Sequence, residues 1–142
     1  MSLANELTIA EILRRTKTIA VVGLSQNRFR ASNRVADYMQ SEGYRIVPVN
    51  PRYTSILSEI CYPDLLQIPA SISIDMVNIF RKVEAIPAIV EQAIQRGVQG
   101  VWMQEGLVHE EAAKRANQAG LWVVMNRCVM IEHQHASSSF QT

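Results

Sequence analysis

Short apolar runs alternating with stretches of helical spacing constrain this chain more than any other feature. The runs are "TIAVVGL" at 18–24, "YRIVPVNP" at 44–51, Asp75 to Phe80, "GVWMQ" at 100–104 and "LWVVM" at 121–125. Near-continuous apolar strands are buried on both faces, as in a parallel sheet. Between them fall helical patterns of ten or so residues, which is the length a parallel crossover needs. The chain is therefore predicted to be α/β, a three-layer, Rossmann-like, doubly wound parallel sheet in a single domain covering residues 1–142.

Local signals place the helices. Thr8 followed by Glu11 is a capping-box pattern, and Ile9, Ile12 and Leu13 share a face. An N-terminal helix is expected within residues 1–17, ending near Arg15. Ser32 can cap a second helix, with Val35, Tyr38 and Met39 inward and Gly43 past its end. Pro87 suits the first turn of a third helix that Gly97 terminates, and Glu110 and Glu111 suit the first turn of a fourth. Pro48 is awkward inside a strand because it cannot donate to a ladder. Residues 52 to 70 are expected to hold a helical turn around Ile56, a brief strand near Cys61 and Tyr62, and a turn at "PDLLQIP". The polar end "HQHASSSFQT", residues 133–142, reads as a loose tail.

Composition excludes several classes. A net charge of +1 and the absence of a basic stripe give no reason to expect nucleic acid. No apolar run approaches the roughly 20 residues of a membrane span, and "IAVVGL" after Arg14 and Arg15 is too short for an export signal core. The two cysteines, Cys61 and Cys128, form neither a disulfide framework nor a zinc pattern, so a cytoplasmic setting is expected. No metal site is expected, since His133 and His135 beside Glu132 make only a weak ligand pattern. His109 reads as a helix cap rather than a base, and Trp102 and Trp122 as core residues.

Open parallel sheets bind ligands outside the carboxyl ends of their strands. Gly23, Ser25, Arg28, Arg30, Ser32 and Arg34 follow the first strand; Asn50 and Arg52 follow the second. Arg81 and Lys82 follow Phe80, and Gln104 and Gly106 follow Met103. Six of the fourteen Lys and Arg residues thus gather at one rim of a nearly neutral chain, which suggests a multiply charged anion. "GLSQNR" lacks the three glycines of a dinucleotide fingerprint, and Asn50 stands where an acid would bind ribose hydroxyls. Asparagine and arginine there favour a ligand with more phosphate than NAD.

The fragments "VGLS", "RASNRV", "PVNPR", "DMVNIFRKVE", "VWMQEG" and "VVMNRC" resemble, in order and spacing, the small single-domain CoA-binding proteins. Those proteins are similar to the nucleotide-binding domain of the succinyl-CoA synthetase alpha subunit. The resemblance implies coenzyme A, or a short acyl-CoA, lying across the carboxyl edge. Gly23, Leu24 and Ser25 would meet the diphosphate, and Arg30, Ser32 and Arg34 would contact phosphate. Asn50, Pro51 and Arg52 would lie near the adenosine end. Phe80, Arg81 and Lys82 would border the adenine and its neighbouring phosphate, and Gln104 and Gly106 the pantetheine arm. Ser58 departs from the family pattern, where glycine is common, as does Asn126, where aspartate is usual.

The expected function is CoA binding as a carrier, sensor or regulator, with no catalytic residue assigned. Two alternatives stay open at this point: an NADP(H)-binding oxidoreductase or redox sensor, and a component of an acyl-CoA synthetase needing a separate ATP-using subunit. A homodimer or a partner enzyme subunit is compatible with either.

Overall fold

A computed structural model describes residues 7–140. Helix α1, Ile9–Arg15, starts where Thr8 accepts a hydrogen bond from the Glu11 N–H at 3.1 Å. Whatever part of the expected N-terminal helix falls on residues 1–6 lies outside the described residues. Strand β1, Thr18–Val22, is buried along its whole length and leads to α2, Ala31–Ser41, and β2, Arg45–Val49. A small hairpin of β3, Ser55–Ile56, and β4, Glu59–Ile60, and a 3-10 turn at Leu65–Gln67 come next. Then come β5, Met76–Ile79, α3, Ile86–Arg96, and β6, Gly100–Met103. The chain continues through α4, Glu110–Gln118, β7, Trp122–Val124, and α5, Val129–Phe140.

The main sheet has the order β2-β1-β5-β6-β7, and all its pairings are parallel. Side-chain alternation sorts the core into two layers. Ala20, Val22, Val47, Val77, Ile79 and Val101 face α3 and α4; Ile19, Val21, Ile46, Met76 and Trp102 face α1, α2 and α5. This is the predicted doubly wound α/β sheet. Among the described residues, no helix is long and apolar enough to cross a membrane.

The order resolves the Pro48 difficulty, because β2 is an edge strand. The Pro48 carbonyl accepts from the Tyr62 N–H at 3.0 Å on the side away from β1. Its missing donor therefore faces the edge, where no ladder partner loses a bond.

Three expectations are corrected. Ile56 lies in a strand, not a helical turn, because Leu57 (φ 53°) and Ser58 (φ 63°) form a left-handed two-residue hairpin turn. That conformation explains why glycine suits position 58. Ser58→Gly is expected to raise stability by about 0.5–1 kcal/mol, measurable by chemical denaturation. Second, α2 begins one residue before Ser32, with Arg30 at the N-cap and no side-chain cap. The Ser32 hydroxyl instead accepts from the Ser25 N–H at 3.1 Å.

Third, residues 133–140 continue α5 rather than forming a loose tail. His133 is 5 % exposed, its Nδ1 2.7 Å from the Tyr38 hydroxyl and its ring edge-on to Tyr38 and Tyr44. Tyr44 completes this junction by donating to the Leu13 carbonyl at 2.8 Å, and burial pushes its hydroxyl pKa up to about 12. The inward face of α5 thus includes a histidine, a residue that hydrophobic periodicity does not score.

Candidate functional site

The strand order reverses about β1, whose neighbours β2 and β5 lie on opposite sides. At such a switch point the connections leave in opposite directions and a crevice opens at the carboxyl ends. The three strand ends are stitched together there. The Gly23 N–H donates to the Val49 carbonyl at 2.9 Å, and the Phe80 N–H donates to the Val22 carbonyl at 2.8 Å. Gly23 has φ +91°, and a Cβ on it would sit 2.5 Å from the Phe80 carbonyl oxygen. Only glycine lets β1 turn this close to β5.

Above these ends lies a cavity of about 780 Å³. Gly23 and Ser25 line it from the β1–α2 loop, and Arg30 and Ser32 from the start of α2. Asn50, Pro51 and Arg52 enter from the end of β2, and Phe80, Arg81 and Lys82 from the end of β5. The structure thus brings together most of the residues singled out in the sequence. Among the described residues, Arg30, Arg52, Arg81 and Lys82 give the lining four cations, and no Asp or Glu contributes to it.

The loop that forms one wall is built by short polar side chains. Asn50, only 9 % exposed, donates from Nδ2 to the Leu24 carbonyl at 3.0 Å, and Asn33 Nδ2 donates to the Ser25 carbonyl at 2.8 Å. These two amides occupy the carbonyls of consecutive residues. The Ser25 and Ser32 hydroxyls each accept a backbone N–H, from Asn27 and Ser25, so each oxygen keeps its own hydrogen to donate. The uncapped start of α2 opens on the same cavity at Ala31 and Ser32. Unpaired N-terminal amides and the helix dipole together favour an anion there.

Other singled-out residues take different places. The Leu24 side chain is fully buried in the core. The Arg34 guanidinium donates to the Phe29 carbonyl and braces the loop from outside the cavity lining. Arg28 stacks over the exposed Phe29 ring, 5.3 Å from its centroid. Gln104 is 4 % exposed and donates to the Asn78 side chain of β5. The Gly106 N–H is held by the Asn126 side-chain oxygen at 2.7 Å. Asn126, at φ 60°, therefore clamps the loop after β6.

Sequence reasoning missed Tyr53, which lines the cavity beyond Arg52. Its signal was its place two residues after the "NP" strand end. The Cys61 thiol donates to the Asn50 carbonyl at 3.4 Å, and burial pushes its pKa up, so it props the site as a thiol. Cys128 is half-buried just before α5. His109 caps α4 by accepting from the Ala112 N–H, as expected. Among the described residues, no group of His, Cys, Asp and Glu is arranged to hold a metal.

Known proteins resemble this chain in sequence and in fold. The sequence model of the CoA binding domain matches residues 17–134. YneT, an uncharacterised protein of Bacillus subtilis strain 168, is 40 % identical over 125 residues, covering 88 % of this chain and 91 % of that protein. A hypothetical protein from Pyrococcus horikoshii OT3 superposes with a TM-score of 0.88 at 43 % identity, over 92 % of this chain and 93 % of that one. ADP-forming acetate–CoA ligase II of Archaeoglobus fulgidus is 28 % identical over 102 residues. That match takes in 70 % of this chain but only 15 % of the enzyme.

Proposed function

This chain belongs to the CoA binding domain family, and we propose that it holds coenzyme A, free or carrying a short acyl group, with its phosphates in the cavity at the β1–β5 switch point. One observation carries the reading: the uncapped start of α2 and four cations face a single cavity that no acid among the described residues lines. Coenzyme A bears a diphosphate and a separate ribose phosphate. The α2 amides with Ser25, Ser32 and Arg30 suit the diphosphate; Arg52, Arg81 and Lys82 suit the ribose phosphate. Arginine supplies a planar fork of donors, and charge-assisted bonds of this kind are the stronger class. The cavity volume lies within the roughly 300–1,000 Å³ of small-molecule sites.

A ligand held only by the folded state raises the melting temperature. Coenzyme A is expected to protect the protein and NADP is not. Dephospho-CoA, which lacks the ribose phosphate, is expected to bind about ten-fold more weakly, the size of one charge-assisted contact. Equal protection by coenzyme A and dephospho-CoA would remove the role given to Arg52, Arg81 and Lys82.

The similarity to a short segment of an acetate–CoA ligase supports a second role, presentation of coenzyme A to a separate ATP-using subunit. Co-purification of such a subunit, with CoA-dependent ATP turnover only in the mixture, tests it.

A further inference from the structure

A hollow of about 500 Å³ opens at the amino ends of β1 and β2, the margin of the sheet opposite the cationic cavity. The length of β1, Thr18–Val22, holds the two apart by roughly 16 Å. Arg14 enters the hollow from the last turn of α1, Lys17 from the link to β1, and Arg45 from the first position of β2. Strand pairing brings these cations together, since Thr18 is in register with Arg45 and the Arg45 N–H donates to the Lys17 carbonyl at 2.8 Å.

Most arginines away from the cationic cavity are committed to the fold. Arg96 donates to the Pro69 and Ile72 carbonyls, Arg115 pairs with Glu91, Arg127 with Glu132 and Arg15 with Glu11. Among the described residues, the side chains of Arg14, Lys17 and Arg45 make no such bond or pair. A buried hydroxyl joins them. Thr18 lines the hollow at 9 % exposure, and its side chain makes no hydrogen bond among the described residues. Its neighbours are spent: Thr16 donates to the Ile12 carbonyl at 2.7 Å and Tyr44 to the Leu13 carbonyl at 2.8 Å.

The surroundings choose the ligand class. The C-termini of α1 and α2 border the hollow, and each carries roughly half a negative charge. Glu42 lines it 3.9 Å from His133 Nδ1, and Asp75 lies behind it, accepting from the Lys17 and Thr18 N–H groups at 2.9 Å. These offset part of the cationic charge, so the hollow suits a single negative charge better than a phosphate dianion. Arginine forks match the planar carboxylate group. Leu13 and Tyr44, both members of the buried core, give the hollow an apolar floor for a hydrocarbon body.

We propose that this hollow is a second ligand site, for a small carboxylate gathered by Arg14, Lys17 and Arg45 with the Thr18 hydroxyl donating. The site is independent of the coenzyme A reading, and its occupant does not compete for the far margin of the sheet.

The test titrates sodium benzoate and its neutral isostere benzamide into the whole chain at constant ionic strength, following the backbone amide NMR signals. Benzoate is expected to shift the Lys17, Gly43 and Tyr44 amides saturably, with a dissociation constant of roughly 1 mM or below, and benzamide to leave them in place. Arg14→Gln and Arg45→Gln are each expected to weaken benzoate about ten-fold while the free protein's other signals stay put. Equal shifts from benzamide, shifts that never saturate, or shifts gathered at Gly23 and Ser25 overturn the site. Tighter binding of inorganic phosphate at the same amides overturns the assignment to a carboxylate. The wild-type comparison stands without the variants.

Discussion

Gly23→Ala is expected to lower stability by about 3 kcal/mol, a fall of roughly 10 °C in melting temperature, and to abolish protection by coenzyme A. Two costs combine. At φ +91° an alanine occupies a region that L-residues avoid. Its Cβ would also stand 2.5 Å from the Phe80 carbonyl oxygen and 2.9 Å from Arg81 Cδ. The arginine stem can swing aside; the carbonyl cannot, because β5 is hydrogen-bonded to β1 through the Phe80 N–H and to β6 on its other side. Relief therefore requires the ends of β1 and β5 to part, and the cavity lies on those ends. Thermal unfolding with and without ligand measures both effects. A melting temperature within about 3 °C of wild type would show that this junction is looser than its bonds imply.

Arg30→Ala is the second large effect, this time on binding alone. Arg30 occupies the N-cap of α2 by its backbone, while its side chain makes no capping bond and borders the cavity. Removing one charge-assisted phosphate contact is expected to weaken coenzyme A by about 1.5–3 kcal/mol, or roughly ten- to over a hundred-fold. The melting temperature of the free protein should stay unchanged, since no hydrogen bond among the described residues uses that guanidinium. Calorimetric titration reads the first quantity and thermal unfolding the second. An unaltered affinity would place the phosphates elsewhere on the rim.

The layering was legible because its cause is local. Runs such as Thr18–Val22 announce a buried parallel strand by composition, and Gly97 marks a helix end by its left-handed φ of 78°. The rim residues were legible for a related reason: the residues just after a parallel strand in sequence lie at the carboxyl edge in space. That rule fixes position but not direction. Gln104 and Arg34 obey the rule in position, yet one turns inward to Asn78 and the other outward to Phe29. No spacing in the sequence distinguishes these from Arg81. The hairpin at 55–60 was misread because its turn uses Leu57 and Ser58 instead of the usual Asn and Gly. The end of α5 was misread because a tertiary partner, the Tyr38 hydroxyl, makes His133 an interior residue.

Pro48 has a consequence beyond its own strand. Its nitrogen offers nothing to an approaching chain, and one of the two neighbouring outward donors, the Asn50 N–H, is already bonded to the Tyr62 carbonyl at 2.9 Å. That margin of the sheet is blunted against further strands. Edge-to-edge pairing through β2 is thereby disfavoured, which leaves β7 as the other margin of the sheet.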